Sequence, residues 1–190
     1  MKTVILNGSP RKSGDTAALL ALLRERLGGD VTQFDAYTCN IAPCNGCGYC
    51  DNHKACAIDD DMPRLLAAIN EADVVVLASP IYFTELTGPL LGVTSRLQYV
   101  WASRTKHGQP VLQNKPRQGI ILLTGGGMGP FDKAADTAAR LLRQMGATVA
   151  GTVCSLHTDT LPAARDADAR QTLESIVEQI KKDAVKGRCS

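Results

Sequence analysis

Neither sign of charge is in excess in this sequence: Lys+Arg 21 against Asp+Glu 19 leaves a net charge of +2. That balance excludes a strongly basic nucleic-acid footprint and a long acidic tail. Long apolar runs are missing as well. The best, residues 74–78 and 120–123, fall far short of the ~18 residues of a membrane-spanning helix. The chain runs from Lys2 straight into a β-branched stretch, with no charged, apolar and cleavable leader, so a cytoplasmic location is expected. Internal repeats are absent. Hydrophobic residues at 44% and charged residues at 21% exclude a disordered chain. At 190 residues a single domain with an ample core is expected, over residues 1–190, with a cysteine-rich loop at about 39–57.

Cysteine breaks this even composition. There are seven: Cys39, Cys44, Cys47, Cys50, Cys56, Cys154 and Cys189, five of them within residues 39–56. A secreted disulfide scaffold would spread them along the chain and usually hold an even number. In a reducing compartment a local cluster points to metal binding or redox chemistry.

Strand and helix patterns alternate. Residues 3–6, 31–35, 73–79, 118–124 and 148–156 read as strands. The central ones are continuous apolar runs, as strands buried on both faces require. Residues 16–27 place Ala17, Leu20, Leu23 and Leu27 on one helical face and stop at Gly28-Gly29. Further helices are predicted after Asp61 to about Glu71, over 88–101, 132–145 and 168–185, with 102–117 as a polar loop. Asp59, Asp60 and Asp61 suit the first turn of the helix that follows them, and Pro63 its first positions. Five strands separated by helices predict an α/β fold: a flavodoxin-like three-layer sandwich with a parallel sheet in the order 2-1-3-4-5.

Ligands of such sheets bind beyond the carboxyl ends of the strands, here loops 7–16, 80–87 and 124–130. The first reads Asn-Gly-Ser-Pro-Arg-Lys-Ser-Gly-Asp-Thr between a strand and a helix. Its hydroxyls, Arg11 and the helix-start N–H groups suit a terminal phosphate. A polar turn with Asp15 or Thr16 capping the helix reads the same residues. It is not a Walker A loop, because five residues separate Gly8 from Gly14 and Asp15 stands where lysine would. The run Gly125-Gly126-Gly127-Met128-Gly129 fails the G-x-G-x-x-G pattern at Pro130. It suits either a backbone lying against a flat ring or a flexible connection.

Cys44, Cys47, Cys50 and Cys56 are spaced C-x₂-C-x₂-C-x₅-C. Three cysteines at two-residue intervals can each reach a different iron of a cubane, with Cys56 closing a [4Fe–4S] site. Gly46 and Gly48 permit the tight turns this needs. A zinc site, with His53 replacing one cysteine, and a metal-free oxidised loop both remain open. Cys39, Cys154 and Cys189 lie outside the pattern. Cys154 reads as a buried small hydrophobe and Cys189 as a frayed terminal residue.

Gly8-Ser9-Pro10-Arg11 after the first strand, the four-cysteine loop followed by Ile58-Asp59-Asp60-Asp61-Met62, and Ser79-Pro80-Ile81-Tyr82-Phe83 after the third strand resemble the iron–sulfur flavoproteins. These stand beside the NAD(P)H-dependent FMN reductases in the flavodoxin-like superfamily. The resemblance implies FMN, with Ser9, Arg11, Ser13, Asp15 and Thr16 around its phosphate. Pro80, Ile81, Tyr82, Phe83 and Thr84 would run along the isoalloxazine, and Thr124, Gly125, Gly126 and Gly127 would close its other side. It further implies a [4Fe–4S] cluster on the four cysteines and a homodimer or homotetramer. NAD(P)H or a reduced carrier would be the donor, and a small molecule or a ferredoxin-like protein the redox partner. No side-chain acid or base is required, so no catalytic residue is assigned. Backbone N–H groups of residues 80–85 and 124–127 would tune the reduced ring. A cluster-free NAD(P)H-dependent FMN or quinone reductase is the alternative, and a zinc-stapled domain without flavin a third. His107 and His157 read as exposed loop residues. Tyr99 and Trp101 read as packing residues, and Lys181, Lys182, Lys186 and Arg188 as cations suited to a helix end.

Overall fold

The computed structural model describes residues 1–127 and 129–186, so Met128, Arg188 and Cys189 lie outside the described residues. Its strands are β1 (Lys2–Asn7), β2 (Asp30–Asp35), β3 (Val74–Pro80), β4 (Arg117–Thr124) and β5 (Ala147–Ser155). They form a five-stranded sheet in the predicted order β2-β1-β3-β4-β5, and each neighbouring pair is parallel. The helices, in chain order, are α1 (Asp15–Leu27), α2 (Tyr49–Asn52), α3 (Met62–Glu71), α4 (Gly88–Ser95), α5 (Leu97–Thr105), α6 (Asp132–Gln144) and α7 (Ala167–Lys186).

Strand side chains alternate between the two faces, as a period of two requires. Val4, Leu6, Val75, Leu77, Ile121 and Leu123 pack with buried residues of α3, α4, α5 and α6. Ile5, Val74, Val76, Ala78, Ile120 and Leu122 pack with α1 and α7. The central strand β3 is buried from Val74 to Ser79. Burying each such aliphatic side chain contributes about 1.5–3 kcal/mol, so the carboxyl ends of β1, β3 and β4 are held on a rigid base. No helix among the described residues is long and apolar enough to cross a membrane.

The structure departs from the predicted elements at three points. The helix predicted over 88–101 is two helices, broken at Arg96, where the N–H reaches Val93 O three residues back at 3.2 Å. The tight turn directs the Arg96 side chain into the protein, where it is 1% exposed. The second of these helices runs on to Thr105 through buried Ala102 and Ser103, inside the stretch predicted as loop. Finally, α2 and a 3₁₀ turn at Ala163–Arg165 lie where no regular structure was expected. Cys154 is half-buried against the larger core cluster, and burial pushes its thiol up to about 11.

Candidate functional site

The loops beyond β1, β3, β4 and β5 enclose a cleft of about 240 Å³. Of the predicted residues, Ser9, Arg11, Asp15, Thr16, Pro80, Ile81, Tyr82, Thr124, Gly125 and Gly126 line it. Ser13, Phe83, Thr84 and Gly127 are not among its lining residues.

The first loop is built close to its neighbours. Gly8 N–H donates to Ala78 O at 2.7 Å, and Thr87 Oγ1 donates to Gly8 O at 2.8 Å. A Cβ on Gly8 would lie 2.8 Å from Thr87 Oγ1 and 2.9 Å from Leu90 Cδ2, so only glycine allows this approach. Asn7 Oδ1 accepts Ser9 N–H at 3.0 Å, and Ser9 Oγ accepts Arg11 N–H at 3.3 Å. The alternative of a cap by Asp15 or Thr16 does not hold. The N-cap is Gly14, and no side chain caps the helix. Asp15 Oδ1 instead accepts Ala163 N–H at 2.8 Å, and Thr16 Oγ1 pairs with Thr124 Oγ1 at 2.8 Å. The start of α1 therefore keeps orphan N–H donors at the positive end of its dipole, beside exposed Arg11. That donor set fits a phosphate.

The second wall begins where β3 ends. Ile81 N–H donates to Thr124 O at 2.7 Å, and Tyr82 and Glu85 exchange backbone bonds of 2.9 and 3.0 Å. Phe83 and Thr84 at the tip have φ of 50° and 65°. Left-handed backbone of this kind costs about 1–3 kcal/mol per residue and persists only where the surroundings enforce it. Glu85 supplies that constraint. Its carboxylate accepts Leu86 N–H at 2.9 Å and the Thr137 hydroxyl at 3.1 Å. The tip points Phe83 wholly into solvent, away from the cleft.

Four lining residues were not among the predicted ones: Pro10 and Gly14 within the first loop, and Thr158 and Asp159 in the loop after β5. Thr158 N–H donates to Gly125 O at 3.0 Å, and the Asp159 carboxylate crowds Gly126 so closely that a Cβ there would lie 2.5 Å from Oδ2. Thr158 and Asp159 follow β5 at its carboxyl end, the rule that identified the other loops. His157 beside them is exposed, as expected. A narrow cleft with glycine backbone on one wall and phosphate donors at its tail fits FMN.

The cysteine loop forms a second cavity, of about 320 Å³, lined by Cys44, Cys47, Cys50 and Cys56. Gly46 and Gly48 both have φ of 69°, which supplies the expected tight turns. The loop is tied down from below. Cys44 N–H donates to Ser95 Oγ at 2.9 Å, Tyr99 Oη donates to Lys54 O at 3.0 Å, and His107 Nε2 meets Cys50 O at 3.0 Å. His107 is thus half-buried against the loop and not simply solvent-facing, and Tyr99 lines the cavity besides packing in the core. Burial, reinforced by Asp51, pushes the Cys50 thiol up.

Beneath the loop lies an ion pair that sequence reasoning missed. Arg96 Nη1 donates to Asp60 Oδ2 at 2.5 Å and to Ala42 O at 3.0 Å, with the side chains 1% and 4% exposed. Arg96 Nη2 donates to Cys56 Sγ at 3.3 Å. No three described His, Cys, Asp or Glu side chains converge where a single ion could sit. A zinc ion draws its sulfurs to about 2.3 Å, and His53 stacks on Tyr49 with centroids 3.9 Å apart. A cubane spreads its four thiolates over four irons, and a cavity lined by four cysteines beside an arginine offers the donor set such a group takes.

Residues 1–160 match the NADPH-dependent FMN reductase family. The chain is 32% identical over 155 residues to an iron–sulfur flavoprotein of Archaeoglobus fulgidus, covering 80% of this chain and 66% of that one. It is 33% identical over 128 residues to an iron–sulfur flavoprotein of Methanocaldococcus jannaschii, covering 63% and 65%. The chain thus spans just under two thirds of the length of these relatives. Among solved structures, RosB with a bound formylated riboflavin phosphate intermediate superposes with a TM-score of 0.71 at 20% identity, over 94% of this chain and 76% of that one. An azoreductase of Bacillus anthracis superposes at 0.61 and 20% identity, over 96% and 100%. At these identities the likeness to the solved structures is one of fold.

Proposed function

The chain belongs to the NADPH-dependent FMN reductase family, and from that membership we propose that it is an FMN-dependent redox protein of the iron–sulfur flavoprotein kind. It would hold FMN in the cleft and a [4Fe–4S] cluster on Cys44, Cys47, Cys50 and Cys56. When bound, FMN exchanges hydride or single electrons and a cubane passes one electron at a time, so together they couple two-electron to one-electron carriers. The donor is NAD(P)H or a reduced carrier, and the acceptor a small molecule or a ferredoxin-like protein. The observation that supports this reading is a cavity lined by all four cysteines of the C-x₂-C-x₂-C-x₅-C run and backed by a buried arginine.

The residues supply placement. The uncapped start of α1 and Arg11 hold the phosphate. The loops around Ile81 and Gly125 form the walls along which the ring would lie, and the Thr16–Thr124 bond locks the two walls together. A wholly exposed Phe83 at the tip of the loop after β3 supports docking of a second copy or a redox partner, in a homodimer or homotetramer within the cytoplasm.

Anaerobic purification with flavin, iron, zinc and sulfide counted per chain tests the assignment. Stoichiometric FMN with four irons supports it. FMN without iron makes the protein a cluster-free reductase, and zinc without flavin overturns both. Arg11→Ala is expected to weaken FMN binding about tenfold to a hundredfold, since a charge-assisted hydrogen bond contributes about 1.5–3 kcal/mol. Fluorescence titration of the flavin measures it, and an unchanged affinity removes Arg11 from the phosphate site.

A further inference from the structure

A guanidinium is planar, and Nε–H and one Nη–H lie side by side on the same edge as a fixed fork. In Arg96 the outer end is clamped by Asp60 and Ala42. Nη2, the fork partner of Nε, donates to Cys56 Sγ at 3.3 Å and to Ile58 O at 3.5 Å. Its neighbour on that edge, Nε, is buried and has no hydrogen-bond partner. Buried donors without acceptors are rare in folded proteins. Among the described residues the one other such side-chain atom is Thr3 Oγ1. The unpartnered donor is therefore the fork neighbour of the nitrogen that meets a cavity cysteine, and Arg96 lines that cavity.

We propose that Arg96, clamped by Asp60, is the positioning residue of the cysteine site, its Nη2–Nε edge donating to Cys56 and to a neighbouring sulfur of the group bound there. The inference rests on reading the cysteine loop as a cluster site. Such donors stabilise sulfur most when it carries most negative charge. They favour the reduced state of the bound cluster and slow the loss of its iron. Asp60 fixes the aim of the fork. Its carboxylate also accepts Ala42 N–H and Met62 N–H, so the clamp joins both ends of the loop.

Arg96→Lys is the decisive variant. Lysine keeps the charge beside Asp60 but has no fork. Wild type and R96K are loaded with iron and sulfide anaerobically, titrated against redox dyes and followed by electron paramagnetic resonance. Iron release to a chelator is timed on the same samples. At a fixed poise R96K is expected to hold about tenfold less of the cluster reduced, equivalent to about 59 mV for a one-electron couple. It is also expected to release iron about tenfold faster. Urea denaturation of the metal-free proteins serves as the control for a purely structural role. If R96K does not fold, Arg96→Gln with Asp60→Asn removes both charges together and is scored in the same way. Equal potential and equal iron release in wild type and variant overturn the inference while leaving the cluster assignment intact. A wild type that takes up no iron removes the cluster assignment, and the inference with it.

Discussion

Asp60→Ala is expected to cost about 3–5 kcal/mol of folding stability, the usual penalty for removing one partner of a buried ion pair. The Asp60 side chain is 4% exposed and that of Arg96 1%. Removing the carboxylate strands a guanidinium under the cysteine loop and deprives Ala42 N–H and Met62 N–H of their acceptor. At about 2–4 °C per kcal/mol for a domain of this size, the melting temperature should fall by roughly 10 °C. The pair also gives stability a pH signature. Burial alone would raise the Asp60 carboxyl, but bonds from Arg96, Met62 and Ala42 outweigh it and hold the group below its usual range. A depressed folded value means that the contribution is complete above the unfolded pKa, near 3.8, and is lost as pH falls through the folded value. Asp60→Asn should therefore flatten the loss of stability below about pH 4. Urea melts across pH measure both effects. A cost below about 1 kcal/mol would show the pair behaving as a solvated surface bridge.

Cys47→Ser is expected to abolish iron and acid-labile sulfide while leaving FMN content unchanged. Cys47 is exposed, so its substitution should disturb stability by no more than about 0.5 kcal/mol. The loss would be one of function: serine offers a hard, poorly ionised oxygen where a thiolate is needed. The flavin should survive because the cysteine cavity and the cleft share no lining residue. Cys39→Ser is the matched control. Its thiol packs against the core outside the cavity, and iron should remain. Full iron in Cys47→Ser would remove Cys47 from the ligand set, and loss of flavin would show the two sites to be coupled.

The sheet was legible because its information is local. Runs such as residues 74–79 have the composition of a doubly buried strand, and chain alternation with right-handed crossovers leaves few strand orders. The cleft loops were legible for the same reason, since each follows a strand whose carboxyl end must meet a ligand. Arg96 was not. It lies in an apolar stretch that reads as one helix, and its burial depends on Asp60, which is 36 positions earlier. Asp60 reads as one of three acids suited to a helix start, yet it alone turns inward to the arginine. His107 was obscured likewise, because its contact with Cys50 O spans 57 positions. Asp15 shows the reverse case. Its place at a helix start suggests a cap, but Ala163 N–H, brought alongside by the far end of the chain, takes its carboxylate.

Dialysed protein titrated in parallel with FMN and with riboflavin, each followed by quenching of flavin fluorescence, puts the central claim to the test. The uncapped start of α1, with Arg11 beside it, predicts one FMN per chain and riboflavin held at least tenfold more weakly, since the phosphate is what that turn grips. Equal affinity for the two flavins, or no binding of either, would contradict it.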